Sequence, residues 1–249
     1  CGSPLDFERV FYGHMGRYRC PACGLARPPA DFPALSLQPL GLDGTDMEMG
    51  GWDGGLKLRV RLPGLYNVYN ALAASAASRL LGLDKDKVVE GIEGYSTVFG
   101  RAEWIEAEGR RIFLVLSKNP TGFNEVIRTV TSDGVGDKSL LLALNDLVAD
   151  GRDVSWIWDV DFEELAPQAG RVTASGTRAE DMALRLKYAG VPQERLRVER
   201  GLGKALLSAL GEVPPGGTLY ALTTYTATLG LRKAMASRGY VKGYWEDEA

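Results

Sequence analysis

Three cysteines and a run of carboxylates carry most of the chemistry this sequence can offer. Cys20-Pro21-Ala22-Cys23-Gly24 sets two thiols two residues apart. That spacing lets both sulfurs reach one Zn²⁺, and the following glycine lets the turn fold back so that backbone N–H groups point at sulfur. The chain opens on Cys1-Gly2, which reads as the closing half of a second CxxCG knuckle whose first Cys is expected just upstream. The strand-like Val10-Phe11-Tyr12 lies between the two knuckles. Two knuckles bracketing a short hairpin make a zinc ribbon, so Cys1, Cys20 and Cys23 are expected to be three of four ligands of a structural zinc. His14, the single histidine, is either the fourth ligand or an exposed loop residue. A redox CxxC needs a strand before it and a helix after it, a context that is absent here.

The carboxylates cluster further on. Leu144-Asn145-Asp146-Leu147-Val148-Ala149-Asp150-Gly151-Arg152-Asp153 leaves an apolar strand and carries three Asp within eight residues. Val154 to Phe162 follows, with Trp156, Trp158 and Asp159. On a strand, two Trp spaced by two would share a face. Acidic groups beside exposed aromatics make a binding surface, and Trp is enriched at interface hot spots. The plain alternative is a solvated acidic loop over buried Trp. A third segment, Leu116-Ser117-Lys118-Asn119-Pro120-Thr121-Gly122, joins a strand to a helix. Its lysine and the free N–H groups of the helix suit an anion such as phosphate, and the alternative is a simple turn with Pro120 as its start signal. There is no GxxxxGK[ST] cradle, and Gly201-Leu202-Gly203-Lys204 lacks both the spacing and the Ser/Thr. Any ATP phosphate cradle is therefore expected outside this chain. No Cys/His or Ser/His pair is available for nucleophilic catalysis, because the one histidine sits in the ribbon.

Two kinds of element must position these groups. Residues 25–56 are rich in Pro, Gly and Asp and show no long periodic element. Lys57–Leu62 alternates like a half-buried strand, Asn70–Leu83 is an Ala-rich helix ended by Gly82, and Asp84 caps a helix running to about Ile92. Beyond residues 94–102 the pattern becomes alternating strands and helices. Trp104–Ala107 and Ile112–Leu116 pair as a hairpin through Glu108-Gly109-Arg110, and a helix runs from about Phe123 to Val130. Leu140–Asn145 is the apolar strand of a sheet buried on both faces. Then come a strand at Arg171–Ala174, a helix at Arg178–Tyr188 with Ser175 or Thr177 as its cap, and a strand at Leu196–Glu199. A helix at Leu202–Leu210, a strand at Thr218–Thr223 and a helix at Thr226–Ser237 complete the series. The fold class is α/β, a three-layer domain with a mainly parallel sheet. Ligands bind beyond the carboxyl ends of such strands, which gathers the loops Ser117–Gly122, Asn145–Asp153 and Thr223–Thr226.

Composition limits the partners. The 249 residues are 45% apolar and 24% charged, with 29 Lys+Arg against 32 Asp+Glu and a formal net charge of −3. That balance argues against a nucleic-acid-binding face spread over the protein. No apolar run approaches the ~18 residues of a transmembrane segment, and no signal peptide is visible, so a cytoplasmic protein is expected.

The residues also carry a family resemblance. Gly64-Leu65-Tyr66-Asn67-Val68-Tyr69-Asn70-Ala71-Leu72-Ala73-Ala74 resembles the signature that ends the ATP-binding central domain of Mur ligases and folylpolyglutamate synthases, most Mur ligases having His-Asn at Tyr66-Asn67. Gly100-Arg101-Ala102-Glu103 resembles the start of their C-terminal domain. The CPxCG ribbon, KNPTGFNEV (Lys118–Val126), NDLVADGRDVSWIWDVDFE (Asn145–Glu163), SGTRAEDMALRLKYAG (Ser175–Gly190) and Thr224-Tyr225-Thr226-Ala227 together resemble the MurT family, the Mur-ligase-like subunits of lipid II isoglutaminyl synthase. The resemblance implies a Rossmann-like Mur ligase C-terminal domain at 98–249. Before it come the C-terminal part of a central domain at 31–97 and, at 1–30, part of a zinc ribbon of the four-cysteine type.

It further implies the synthetase subunit of a glutamine-dependent amidotransferase of peptidoglycan biosynthesis, acting at the inner face of the membrane. With ATP and Mg²⁺ such a subunit phosphorylates the D-glutamate α-carboxylate of the lipid II stem peptide, and ammonia from a GatD-type glutaminase subunit attacks the acyl phosphate. An Asp of the Mur-like subunit would complete the partner's Cys-His-Asp triad; Asp153 is favoured here, then Asp159, then Asp150. Asn67 is matched to a nucleotide contact, and Arg101, Lys118, Asn119 and Thr121 to the face on which the domains close over ATP. The fragment alone is expected to be inactive, with the ribbon and residues 30–97 poorly stabilised. Two other readings remain: a Mur or folylpolyglutamate-type ligase joining an amino acid, and a zinc-ribbon interaction module, which predicts a basic ribbon surface.

Overall fold

Apolar residues alternate with polar ones in the first part of the chain and run together in the second, and the fold follows that change. The computed structural model describes residues 1–13, 15–95, 102–132 and 136–242. The chain divides into two compact units, Cys1–Ser96 and Thr97–Ala249.

In the first unit, β1 (Asp6–Tyr12) and β2 (Met15–Arg19) form an antiparallel ribbon. Three further strands make an antiparallel sheet in the order β3 (Ala34–Pro39), β4 (Thr45–Met49), β5 (Leu56–Val60). The first two of these lie inside the segment in which no long periodic element is visible. Each has only five or six residues, and every residue of β3 is exposed, so no apolar face marks it. The alternation of β4 and β5 buries Met47, Met49, Leu56, Leu58 and Val60 against Val68 and Ala71 of helix α1 (Leu65–Leu80) and Val88 of helix α2 (Lys85–Glu93). Helix α1 begins five residues before the expected Asn70. Its end follows the expected rule: Gly82 takes a φ of +75° and the Leu83 N–H bonds back to the Ser78 carbonyl at 3.0 Å. Asp84 caps α2 by accepting from the N–H groups of Asp86 and Lys87.

The second unit is a six-stranded sheet in the order β10-β9-β8-β11-β7-β6. The strands are β6 (Glu103–Ala107), β7 (Arg110–Leu116), β8 (Lys138–Ala143), β9 (Ala169–Ser175), β10 (Leu196–Val198) and β11 (Thr218–Thr223). Only β6 is antiparallel to its neighbour. It pairs with β7 through a two-residue turn in which Glu108 and Gly109 take φ of +53° and +71°, the left-handed pair such a hairpin needs. Helices α3 (Pro120–Thr131), α4 (Phe162–Leu165) and α5 (Ala179–Tyr188) lie in the crossovers β7 to β8, β8 to β9 and β9 to β10. Helix α6 (Leu202–Gly211) leads back to β11, and α7 (Tyr225–Ala236) follows it. Because β11 returns between β8 and β7, α6 and α7 pack together with Leu114, Leu141, Leu219 and Ala221 on the sheet face opposite the other crossovers. The result is the expected three-layer α/β fold with a mainly parallel sheet.

Two local expectations fail. Val154–Phe162 is not a strand: Ser155–Asp159 is a 3₁₀ turn followed by α4. With about three residues per turn, side chains two apart diverge. Trp156 packs on Phe123, ring centres 5.7 Å apart, while Trp158 stands half-exposed beside Tyr188. Neither Ser175 nor Thr177 caps α5, since Arg178 occupies the cap position without a side-chain bond. Thr177 is drawn instead to the loop after β8.

Gly176, after β9, makes that approach possible. Its φ is +95°, and a Cβ there would sit 2.3 Å from the Leu144 carbonyl oxygen and 2.6 Å from Asn145 Oδ1. Gly176→Ala should therefore cost the second unit about 3 kcal/mol, through backbone strain and a contact with no flexible side chain to yield. Urea unfolding of the variant against the parent chain measures this.

Candidate functional site

The parallel strands β7, β8 and β11 are neighbours in the sheet and point the same way. The loops that follow them therefore emerge side by side, as expected. Asn145, only 5% exposed, ties the loop after β8 to those after β11 and β9. Its backbone N–H donates to Thr224 Oγ1 (3.0 Å) and its Nδ2 to Thr226 Oγ1 (2.8 Å), while its Oδ1 accepts from the Thr177 N–H (2.9 Å). One buried amide thus joins the ends of β8, β9 and β11.

The carboxylates hang from this frame in different states. Asp150 accepts from both the Thr226 N–H (2.8 Å) and the Thr226 hydroxyl, so it holds the first turn of α7 from another loop. Asp153 is exposed and accepts from the Ser155 N–H at 2.8 Å through one oxygen. That bond, with the Ser155 hydroxyl, holds its carboxyl below the ordinary value. Asp159 is exposed, and its carboxylate makes no hydrogen bond or ion pair among the described residues. Asp146 stands immediately beyond β8 and accepts from the Thr177 hydroxyl at 2.8 Å. Sequence reasoning counted it among the loop's carboxylates without giving it a role; its place beside Asn145 is the signal for one.

Beneath the 155–159 turn lies Arg185, 4% exposed. It donates to the carbonyls of Ile157 (3.1 Å) and Val160 (2.6 Å) and in fork fashion to both oxygens of Glu163. Its guanidinium carbon lies 5.5 Å from the Trp158 ring centre and 5.4 Å from that of Phe162. Asn124 fixes the next residues, bonding the Asp161 carboxylate at 2.6 Å and the Asp161 N–H at 2.9 Å. Leu147, Val148, Trp158 and Tyr188 are exposed around the acidic loop. The arrangement is a rigidly backed carboxylate surface with apolar contact area, fitted to present a negative charge rather than to run a nucleophilic reaction.

Among the other expected residues, Lys118 is exposed after β7. Asn119 is the N-cap of α3 and accepts from the Gly122 N–H at 2.8 Å, and Thr121 lies in the exposed first turn. Helix α3 begins at Pro120, earlier than the expected Phe123, because that cap and the proline set its first turn. In the first unit Asn67 is buried and donates to the Pro63 carbonyl at 2.8 Å. Arg101 and His14 lie outside the described residues.

The three cysteines converge. The sulfurs of Cys1, Cys20 and Cys23 lie within 4.8 Å of one another, and those of Cys1 and Cys20 are 3.6 Å apart. Tetrahedral Zn–S bonds of about 2.3 Å place sulfurs just under 4 Å apart, so the set fits a thiolate-bound zinc. The N–H of Cys23, then that of Ala22, holds the Cys20 thiol below its usual value. Those are the N–H···S contacts of a metal knuckle.

The architecture is that of the Mur ligase class. A pseudomurein peptide ligase type C from Methanothermus fervidus superposes with a TM-score of 0.68 at 21% identity, covering 96% of this chain and 48% of that one. MurF from Acinetobacter baumannii gives 0.63 at 19%, covering 83% and 44%. Among proteins of this architecture, the chain's likeness is to the MurT family. Residues 116–228 match the family model of the MurT ligase C-terminal domain, and the likeness to MurT runs through both units. The chain is 35% identical to the lipid II isoglutaminyl synthase (glutamine-hydrolyzing) subunit MurT of Streptococcus pneumoniae over 97% of its own length and 53% of that protein. It is 36% identical to the Staphylococcus aureus subunit over 82% and 45%. It thus spans about half the length of the relatives it matches. Among the described residues no helix is long and apolar enough to cross a membrane.

Arg185→Met should destabilise the second unit by about 2–3 kcal/mol, since two buried carbonyls lose their donor, whereas the Glu163 side, 59% exposed, is screened. Equilibrium unfolding checks it. Hydrogen bonding from Arg185 also holds the Glu163 carboxyl below its ordinary value. A depressed folded-state value adds stability above the unfolded one and loses it as pH falls. Glu163→Gln should therefore flatten the loss of melting temperature below about pH 4.5 and leave the neutral-to-basic slope unchanged.

Proposed function

We propose that this protein is the C-terminal part of the synthetase subunit of a MurT-type, glutamine-dependent amidotransferase that converts the D-glutamate α-carboxylate of the lipid II stem peptide to D-isoglutamine. The observation that carries this reading is one chain holding both a cysteine ribbon and a backed carboxylate loop on a Mur ligase fold, in a sequence with 35% identity to a MurT subunit across both features.

A carboxylate is a poor electrophile with a poor leaving group. Phosphoryl transfer from Mg·ATP supplies the leaving group, and ammonia then displaces phosphate to form the amide. Lys118, Asn119 and Thr121, with Arg101, are assigned to the face that closes over the nucleotide, and Asn67 to the nucleotide side of the first unit. Asn67 donates its Nδ2 to the Pro63 carbonyl and accepts at its oxygen from Asn70 Nδ2 at 3.5 Å, which fixes the amide on that side. Ammonia comes from a GatD-type glutaminase with its own Cys and His. This chain supplies the third member of that triad: Asp153 offers an ionised, solvent-exposed carboxylate, fixed by Ser155, to orient the imidazole and stabilise its charged form. Asp159 and then Asp150 stand next, and Asp150 is the least available because both of its oxygens are engaged by Thr226. Cys1, Cys20 and Cys23 hold a structural zinc together with a fourth ligand.

Two measurements test the reading. Asp153→Asn should lower the glutaminase kcat of the reconstituted complex by about four orders of magnitude, as loss of a triad carboxylate does elsewhere, with melting temperature unchanged. Full activity would transfer the role to Asp159 or Asp150, and a parent complex that releases no ammonia from glutamine sinks the whole assignment. Elemental analysis should find about one zinc per chain, and Cys20→Ser should lose it and melt the ribbon.

A further inference from the structure

The ribbon has two unlike faces. Its register pairs Asp6 with Arg19, Phe7 with Tyr18, Arg9 with Arg17, and Val10 with Gly16. Side chains alternate along β2, so Gly16 and Tyr18 share a face with Phe7 and Val10, while Arg17 and Arg19 share the other with Arg9 and Asp6. Arg9 and Arg17 are thus directly opposite each other on one face, where like charges destabilise a strand pair. Among the described residues the only ion pair between them and a carboxylate is Arg17 to Glu8, at 3.6 Å with both side chains mostly exposed. Arg9 and Arg27 lie over the Phe11 ring, 5.7 and 5.1 Å from its centre, and add to the same cationic cluster. Residues 1–27 hold four arginines against two carboxylates, and since the zinc-bound thiolates carry more negative charge than the zinc, the cationic character is local to the arginine face rather than a net charge of the ribbon. The other face exposes Phe7 by 42% and Val10 by 59%, and Leu5 and Leu25, before and after the two strands, are exposed at 40% and 59%.

We propose that this ribbon is a docking element for an anionic lipid surface. A hairpin that sets exposed arginines side by side on one face, with a single loose ion pair between Arg17 and Glu8, is complementary to a phosphate-rich layer. Its exposed aliphatic and aromatic side chains fit the boundary between headgroup and acyl chain, and a lone polyanion would leave them without a partner. A ribbon one strand pair thick enters edge-on, with the long arginine stems reaching back to the phosphates. The cross-strand cation pair then becomes a phosphate clamp. The proposal stands on the ribbon alone and is independent of the amidotransferase reading.

The test is co-sedimentation of the zinc-loaded protein with vesicles, without ATP, glutamine or a partner subunit. Binding to phosphatidylglycerol vesicles should exceed binding to phosphatidylcholine vesicles and fall steeply with salt. The triple variant Arg9→Ser, Arg17→Ser, Arg19→Ser should bind the anionic vesicles about 100-fold more weakly, roughly five-fold per arginine. Phe7→Ser with Val10→Ser should weaken binding while keeping the salt dependence. Zinc content and circular dichroism establish that each variant is folded. Equal partition to both lipids, an unaffected triple variant, or tighter binding to single-stranded nucleic acid than to vesicles would each overturn the proposal. Because no catalysis is read, the outcome is separate from that of the glutaminase assay.

Discussion

The rim of the second unit depends on one buried amide. Asn145 has a donor, an acceptor and its own N–H, and spends them on Thr226, Thr177 and Thr224. No single hydrophobic contact could do this, because the three loops must be held at specific atoms rather than merely pressed together. At 5% exposure the amide has little water to fall back on, so each of these bonds is costly to leave unmade. Asp150 extends the set by capping α7 from another loop, and Gly176 is the residue small enough to let Thr177 close in. The acidic loop between Asp146 and Asp153 is therefore anchored near both ends while its middle, Leu147 and Val148, stays in water.

Long-range pattern was legible in the sequence, and local geometry less so. Leu140–Asn145 announced a doubly buried strand because nearly every residue there is apolar, and β8, running Lys138–Ala143, is central in the sheet. The Gly82 stop and the Asp84 cap were legible because each is a local rule with one physical cause. The strand β3 was not, since an edge strand exposed along its length carries no apolar face, and β4, though its alternation buries Met47 and Met49, is only five residues long inside a Gly- and Asp-rich stretch. The Trp pair misled for a different reason. Its two-residue spacing has opposite meanings on a strand and on a 3₁₀ turn, and what selects the turn is Arg185, a residue about thirty positions away. A buried arginine inside a helix reads in sequence as one more solvated charge.

The same reasoning separates the candidate carboxylates. In the sequence Asp153 ranked ahead of Asp159 and Asp150 only for its place on the Gly151 loop just before the Trp pair. In the structure Asp150 is consumed by Thr226, Asp153 is half-engaged, and Asp159 is free on a clamped backbone. Thr226 lies 76 positions beyond Asp150, so nothing local could reveal that engagement. The cysteines were easier. A CxxCG knuckle is recognisable in five residues, and the long-range partner, Cys1, was marked by the glycine beside it.

On the proposed reading this chain lends a charge to a partner's active site, and such a subunit faces a constraint that a self-contained enzyme escapes. The group must stay ionised and correctly placed before the partner arrives, since binding energy spent on ordering a loop is lost from affinity. A carboxylate held by several donors would be well ordered but saturated; one held by none would be available but wandering. Asp153 satisfies both demands, with one oxygen fixed by Ser155 and a turn beneath it clamped by Arg185. The clamp works from below, through main-chain carbonyls, so it fixes the turn without competing for the carboxylate. That separation explains why a buried arginine sits under an exposed acidic surface: were it at the surface, it would neutralise the charge the surface exists to present.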